Sequence, residues 1–121
     1  MIGLLMMLAA TDAPIRLGYG YTTGEMLYQA CQKLDRTACL EYITGVSDTV
    51  SYLESTDSML RAVCQPPGMP RDKLVDVVLA YLDKHPDQKR TLAGSVVFGA
   101  LYAAYPCPKD EIERGLGGMP K

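Results

Sequence analysis

Apolar residues recur every three or four positions between residues 24 and 34, which is the spacing of one buried helix face. The residues on this face are Leu27, Ala30, Cys31 and Leu34. Thr22 or Thr23 can cap the helix, because a threonine hydroxyl accepts a hydrogen bond from a first-turn N–H group. We therefore predict a short first helix from Gly24 to about Leu34.

A longer apolar stripe predicts a second helix from Arg36 to about Glu54. The residues of this stripe are Cys39, Ile43, Val46, Val50 and Leu53. Asp35 precedes the helix and is predicted to cap it. Gly45 costs the helix about 1 kcal/mol relative to alanine. We therefore expect another backbone to pack closely against that glycine.

Residues 55–70 interrupt the helical pattern. The stretch Met59–Cys64 is long enough for one more helical turn, but the Gln-Pro-Pro-Gly-Met-Pro sequence of residues 65–70 is not helical, because proline fixes φ and lacks an N–H group. We expect a stiff, exposed loop that displays Met69. A preorganised loop loses less entropy on association, so it is a candidate binding element. The alternative is a simple connector between helices.

Two further helices are predicted after this loop. The third begins near Pro70, ends at His85-Pro86 and buries one apolar face: Leu74, Val77, Val78, Tyr81 and Leu82. The fourth runs from about Asp87 to Ala104 and directs another set inward: Leu92, Val96, Val97, Ala100, Leu101 and Ala104. Gly94 and Gly99 indicate close helix contact. The predicted fold class is all-α, a compact four-helix arrangement in one domain.

The two ends of the chain differ from this helical region. Residues 1–10 are almost wholly apolar, too few to span a bilayer but sufficient for the hydrophobic region of a secretory signal. No Lys or Arg precedes them, so either an upstream basic region is lost or the leader is weak. An apolar helix packed on the domain is the alternative. We assign residues 1–13 to a signal peptide, 14–108 to the helical domain and 109–121 to a flexible tail.

Charge and hydropathy narrow the classes of partner. The formal net charge is −2, with 12 basic and 14 acidic residues mixed along the chain. This pattern lacks the basic stripe of a nucleic-acid-binding protein. After residue 13 no apolar run is long enough to cross a membrane, so we expect no membrane association once the signal is removed.

Four cysteines in a small exported domain indicate a disulfide framework with three conceivable pairings. If the helices run up and down, Cys31 and Cys39 share one end of the bundle, and Cys64 and Cys107 share the other. Cys39 would lie roughly 25–30 Å from the far end of the second helix, whereas a disulfide needs Cα atoms within about 7 Å. We favour Cys31–Cys39 with Cys64–Cys107.

The rival pairing, Cys39–Cys64 with Cys31–Cys107, requires residues 55–64 to fold back along the second helix. A zinc site or a redox-active pair is disfavoured, because the sequence has no C-x-x-C motif.

No catalytic constellation is evident, and we predict no catalytic residue, metal or cofactor. The single histidine, His85, precedes a proline at a helix end, where it is expected to cap the helix. A Cys–His nucleophile would need a free thiol. Asp48, Glu54 and Asp57 could form an acidic edge, which is usually only solvated. An enzyme that works through His85 is the weakest alternative.

Five motifs, in this order and spacing, resemble the Rap/Tai family of periplasmic immunity proteins over about residues 24–108. They are Gly24-x-x-Leu27-x-x-x-Cys31, Cys39-Leu40-Glu41-Tyr42-Ile43-x-Gly45-Val46-x-Asp48, Cys64-x-Pro66-x-Gly68, Tyr81-Leu82-x-x-His85-Pro86 and Ala100-Leu101-x-x-x-Tyr105-Pro106-Cys107-Pro108. Each motif alone is only weakly specific for the family, whereas the ordered set of five is fairly specific.

The resemblance implies an all-helical periplasmic protein, often a homodimer, that neutralises amidase effectors of type VI secretion. Such effectors are papain-like Cys–His hydrolases of peptidoglycan stem peptides, and the immunity protein blocks their catalytic groove with a protruding loop. On this hypothesis the contact residues here are Pro66, Pro67, Gly68, Met69 and Arg71. The alternative is a general periplasmic binding or chaperone-like helical protein without a single cognate toxin.

Overall fold

The computed structural model describes residues 20–109, which form four α-helices and one short 3-10 helix. Their bounds are Gly24–Gln32 (α1), Thr37–Ser55 (α2), Arg71–Lys84 (α3), Pro86–Arg90 (the 3-10 helix) and Ala93–Ala104 (α4). The all-α, four-helix prediction is confirmed over this range. The predicted signal peptide, and the predicted tail beyond Lys109, lie outside the described residues.

The four α-helices surround one hydrophobic core. Its largest fully buried apolar side chains come from all four: Leu27, Ile43, Val75, Val78, Leu82, Val96, Val97 and Leu101. Each such side chain contributes about 1.5–3 kcal/mol to folding relative to an exposed position. The apolar spacing predicted most of these residues, but it missed Val75, which lies next to the predicted Leu74 on α3.

The predicted cap of α1 is confirmed, with Thr23 in that role, whereas the predicted cap of α2 is displaced by one residue. The backbone N–H of Met26 donates to the Thr23 hydroxyl oxygen at 3.1 Å, which caps α1. At the start of α2, Asp35 Oδ1 accepts from the backbone N–H of Thr37 at 3.0 Å and from its hydroxyl at 2.6 Å. These hydrogen bonds lower the pKa of the Asp35 carboxyl group. Asp35 therefore caps α2 from one residue before Arg36, which occupies the cap position itself.

The predicted fourth helix from Asp87 to Ala104 is wrong in its first third, because the helix is interrupted at Thr91. The carbonyl of Thr91 accepts from the N–H of Gly24 at 2.8 Å, and the N–H of Ala93 donates to the carbonyl of Thr22 at 2.8 Å. This short antiparallel bridge holds the chain extended there, so a 3-10 helix precedes the break and α4 follows it.

Two residues predicted to be buried at helix ends are exposed. Leu34 is fully exposed, because α1 ends at Gln32 and the connection to α2 directs Leu34 into solvent. Ala104 is exposed in the last turn of α4.

Close packing at glycine occurs at two positions. A Cβ atom on Gly24 would lie 2.5 Å from the carbonyl oxygen of Gln88, and one on Gly99 would lie 2.8 Å from the Tyr81 hydroxyl. The contact predicted for Gly45 is wrong, because nothing lies within 4 Å of its Cβ position. At Gly94 an added Cβ would make only an ordinary contact.

The favoured disulfide pairing is confirmed. Cys31 pairs with Cys39 at a Cα–Cα distance of 5.0 Å, and Cys64 pairs with Cys107 at 4.8 Å. The rival pairing is therefore wrong. Two disulfides in a small domain indicate an oxidising compartment. No helix within residues 20–109 is both long and apolar enough to cross a membrane.

Candidate functional site: the proline loop and the groove beside it

The chain folds back alongside α2 after that helix ends. We call residues 61–71 the return segment, and residues 65–70 within it the proline loop. As the return segment proceeds, it contacts α2 first at Glu54, then at Ser47 and finally at Glu41. The segment therefore runs antiparallel to α2. The extra helical turn predicted for residues 59–64 is wrong, because this stretch is irregular and extended.

The first contact is made by the Glu54 carboxylate. Its Oε2 atom accepts from the backbone N–H of Ala62 at 2.7 Å and from that of Val63 at 2.9 Å. A single side chain therefore satisfies two consecutive backbone donors that no helix or sheet serves.

The opposite side of the return segment is joined to the end of α4. The N–H of Cys64 donates to the carbonyl of Tyr105 at 2.8 Å, and the N–H of Cys107 donates to the carbonyl of Ala62 at 3.0 Å. The Cys64–Cys107 disulfide lies beside this bridge. A covalent bond and two backbone hydrogen bonds thus fix the start of the proline loop.

The proline loop projects into solvent over three residues, Pro66, Pro67 and Gly68. Gly68 has φ of +74°, a left-handed conformation that side-chain-bearing residues rarely adopt. The Ser47 hydroxyl donates to Gln65 Oε1 at 3.1 Å at the base of the loop. The predicted exposure of the loop is confirmed for these three residues, and its stiffness stays a prediction.

Met69 does not stand out from the loop as predicted. Its side chain is half-buried against the core, and the Tyr105 hydroxyl donates to its Sδ atom at 3.4 Å. The thioether fills space beneath the loop, because a flexible apolar side chain packs well into an irregular gap.

Arg71 begins α3 and remains largely exposed. Its Nη1 atom lies 3.9 Å from Glu41 Oε1, and both side chains are more than half accessible. A surface ion pair of this kind contributes about 0–1 kcal/mol, so the guanidinium is free to exchange Glu41 for another acceptor.

A groove of about 490 Å³ lies between α2 and the return segment. Its apolar lining includes Val50, Val63 and Leu101, and its polar lining includes Ser51, Glu54 and Arg61. Pro66 and Pro67 form part of its wall, so the exposed tip of the loop and the groove make one continuous surface.

The chemistry of this region does not include a Cys–His nucleophile. All four cysteine sulfurs are in disulfides. His85 occupies the C-cap position of α3, where its backbone N–H donates to the carbonyl of Tyr81. Its ring lies against the Tyr81 ring, so capping by the imidazole side chain stays a prediction. No group of three or more His, Cys, Asp or Glu side chains over residues 20–109 is arranged to hold a metal ion.

The sequence did not reveal the residues that support the loop. Glu54 was placed in an acidic edge with Asp48 and Asp57, but its carboxylate bonds to backbone instead. Gln65 and Tyr105 were not singled out as supports of the loop. Tyr105 does occur in the last sequence motif, beside Cys107. For Glu54 no signal existed, since its partners are amide groups that every residue carries.

Comparison with known proteins gives one finding. The model of the family described as Rap1a immunity proteins matches residues 23–107, a range that contains the four α-helices, both disulfides and the proline loop. No curated protein and no solved structure gives a significant match.

Proposed function

Because the chain belongs to the Rap1a family of immunity proteins, we propose that it neutralises a peptidoglycan amidase delivered by type VI secretion. The proposed mechanism is steric. The proline loop enters the catalytic groove of the amidase and excludes its substrate, and the immunity protein performs no chemistry of its own.

The observation that supports this proposal is that the proline loop is exposed while the segment that carries it is attached to the body at several points. Pro66, Pro67 and Gly68 are exposed, while the segment that carries them is held by a disulfide, by Glu54 and by the Ser47–Gln65 hydrogen bond. Ordering a backbone residue costs about 1–2 kcal/mol, so a loop fixed in advance retains more of its contact energy as affinity.

The proposed contact residues divide into two roles. Pro66, Pro67 and Gly68 would touch the amidase directly, and Arg71 would exchange Glu41 for a polar group at the rim of the amidase groove. Met69 belongs to the support of the loop, because Tyr105 and the core hold its side chain.

We propose that the protein acts in the periplasm. The disulfides indicate an oxidising compartment, and peptidoglycan, the substrate of the proposed target, lies there. The predicted signal peptide over residues 1–13 would direct export.

The test is inhibition of a papain-like amidase encoded beside this gene. Replacing residues 66–68 by Gly-Ser-Gly, with Met69 retained, removes both prolines and leaves the support of the loop in place. We expect this variant to inhibit the hydrolysis of purified peptidoglycan poorly, with an inhibition constant at least tenfold higher than that of the wild type. Met26→Ser, an exposed position on α1, is the matched control and should inhibit fully.

Full inhibition by the Gly-Ser-Gly variant would show that another surface binds the amidase. Failure of the wild-type chain to bind or inhibit any such amidase would contradict the proposed function itself. The homodimer implied by the family resemblance is a separate expectation, and the mass of the purified protein by light scattering tests it.

A further inference from the structure

Glu54 occupies a position where a carboxylate does not help its own helix. It lies in the last turn of α2, which ends at Ser55. The carbonyl end of a helix carries partial negative charge, so an acidic side chain there is unfavourable for the helix. The hydrogen bonds of Glu54 with the return segment offset this penalty.

Those two hydrogen bonds are short. The Oε2 atom lies 2.7 and 2.9 Å from the nitrogens of Ala62 and Val63, within the range of charge-assisted N–H···O⁻ bonds. Both are partly buried, and the Val63 side chain is buried beside them. Without the carboxylate, these two donors would lose their partner in a region with restricted access to water.

The contact also determines where the proline loop begins. It joins the end of α2 to residues 62 and 63, directly before Cys64, from which the loop starts. The disulfide fixes Cys64 to Cys107 on the α4 side, and Glu54 fixes the preceding residues on the α2 side. The α4 side also carries two backbone hydrogen bonds, so Glu54 adds the attachment from α2, and holding the segment from both sides limits how far it can turn.

We infer that Glu54 is a positioning residue for the proline loop: its carboxylate holds the backbone of Ala62 and Val63 and thereby sets the direction in which Pro66 and Pro67 project. This inference rests on the proposed function, in which that loop binds the amidase. Glu54 is not itself proposed to touch the amidase.

Three substitutions separate geometry from charge. Glu54→Gln retains the length of the side chain and an oxygen that can accept both N–H groups, but it loses the charge. Glu54→Asp retains the charge but is shorter by one carbon–carbon bond, about 1.5 Å, so its carboxylate does not reach the two N–H groups. Glu54→Ala removes the acceptor. Asp48→Ala, an exposed carboxylate on the same helix, is the matched control.

The first readout needs no partner. Hydrogen exchange in the full-length protein should be roughly tenfold or more faster at the amides of residues 62–64 in Glu54→Ala and Glu54→Asp, because loss of a charge-assisted bond favours local opening. Glu54→Gln keeps the acceptor but loses the charge, so its exchange rates should lie between those of the wild type and of Glu54→Ala. Amides in the middle of α4 should be protected in all variants, which separates local release of the loop from global unfolding.

The second readout is inhibition of the amidase that the wild-type chain inhibits. A loosened loop must be ordered on binding, so Glu54→Ala and Glu54→Asp should inhibit roughly tenfold less tightly. Glu54→Gln should inhibit with an affinity between those of Glu54→Ala and of the wild type, and Asp48→Ala should match the wild type.

The two readouts separate the inference from the proposed function. Unchanged exchange at residues 62–64 in Glu54→Ala would overturn the positioning role and leave the proposed function standing. Faster exchange with unchanged inhibition would establish that Glu54 holds the segment and overturn the binding role of the proline loop. Faster exchange and weaker inhibition in Glu54→Ala, with partial recovery of both in Glu54→Gln, would support the positioning role and the proposed function.

Discussion

The helical body and the return segment are held by different forces. In the body, long apolar side chains such as Leu27, Ile43 and Leu82 are fully removed from water. In the return segment, Val63 is the one buried residue between positions 61 and 71. Burial therefore stabilises the first region, while the second depends on a disulfide, on Glu54 and on a few hydrogen bonds to α2 and α4.

The two disulfides show the same contrast. Cys31 and Cys39 are both fully buried, and their bond joins two helices that already pack together. Cys64 is half-buried and lines the groove, and its bond joins an irregular segment to the end of a helix. The first bond reinforces packing, whereas the second substitutes for it. A surface that must remain exposed for binding has no core of its own, so it is fixed by other means.

The largest effect is expected from removal of the second disulfide. Cys64→Ala with Cys107→Ala should lower the free energy of unfolding by about 4 kcal/mol, because the bond closes a long loop in the unfolded chain. Urea denaturation followed by circular dichroism measures this loss. A loss below about 1 kcal/mol would mean that hydrogen bonds alone hold the return segment, which would weaken the contrast between the regions.

An intermediate effect is expected at Gly24, which tests close packing in the helical body. Gly24→Ala should destabilise the protein by about 2 kcal/mol, since the added methyl group meets the backbone of Gln88 and the neighbouring Lys89, which cannot move aside cheaply. Thermal unfolding measures the change.

Gly45→Ala is the matched control for this substitution. Gly45 is exposed within α2 and nothing lies within 4 Å of its Cβ position, so alanine should stabilise the protein by about 0.5–1 kcal/mol. Equal effects at both glycines would show that Gly24 is not tightly packed.

The smallest effect concerns the cap of α2. The pKa of Asp35 is lowered by its hydrogen bonds with Thr37, so the folded state favours the ionised form more than the unfolded state does. This contribution is present above the unfolded-state pKa, about 3.9, and is lost as the pH falls through the folded-state value.

Asp35→Ala should therefore unfold at a slightly lower temperature than the wild type at pH 7, and the difference should shrink toward pH 3. Melting temperatures across that range test this. A difference that does not change with pH would show that the carboxylate charge has no part in the cap.

The sequence was most informative where structure follows from local periodicity. The stripe of α2, most of the stripe of α3 and a cap at Thr22 or Thr23 were predictable, and the correct cysteine pairing was favoured over its rival, because side-chain spacing along a helix and helix length are local properties. The prediction failed at Thr91, where a backbone bridge to Thr22 and Gly24 ends the helix. It also failed at Gly45, where a mid-helix glycine has no close neighbour.

For the candidate site, the difference between what the sequence predicted and what only the structure showed is larger. The composition of residues 65–70 alone indicated a stiff, exposed loop, since proline restricts its own backbone and that of the residue before it. The side to which Met69 turns and the support given by Glu54 were not predictable from sequence. Both depend on residues 59–64 being extended instead of helical.

The sequence by itself determined an all-helical domain with a proline-rich loop and favoured one of two open disulfide pairings, because periodicity, proline and cysteine spacing act locally or through element length. Its ordered motifs carried the resemblance to the immunity family. Only the tertiary structure decided that the chain returns along α2, that Glu54 holds its backbone and that the loop borders a groove. Backbone N–H groups are the same at every residue, so which of them a carboxylate reaches is set by how the helices pack.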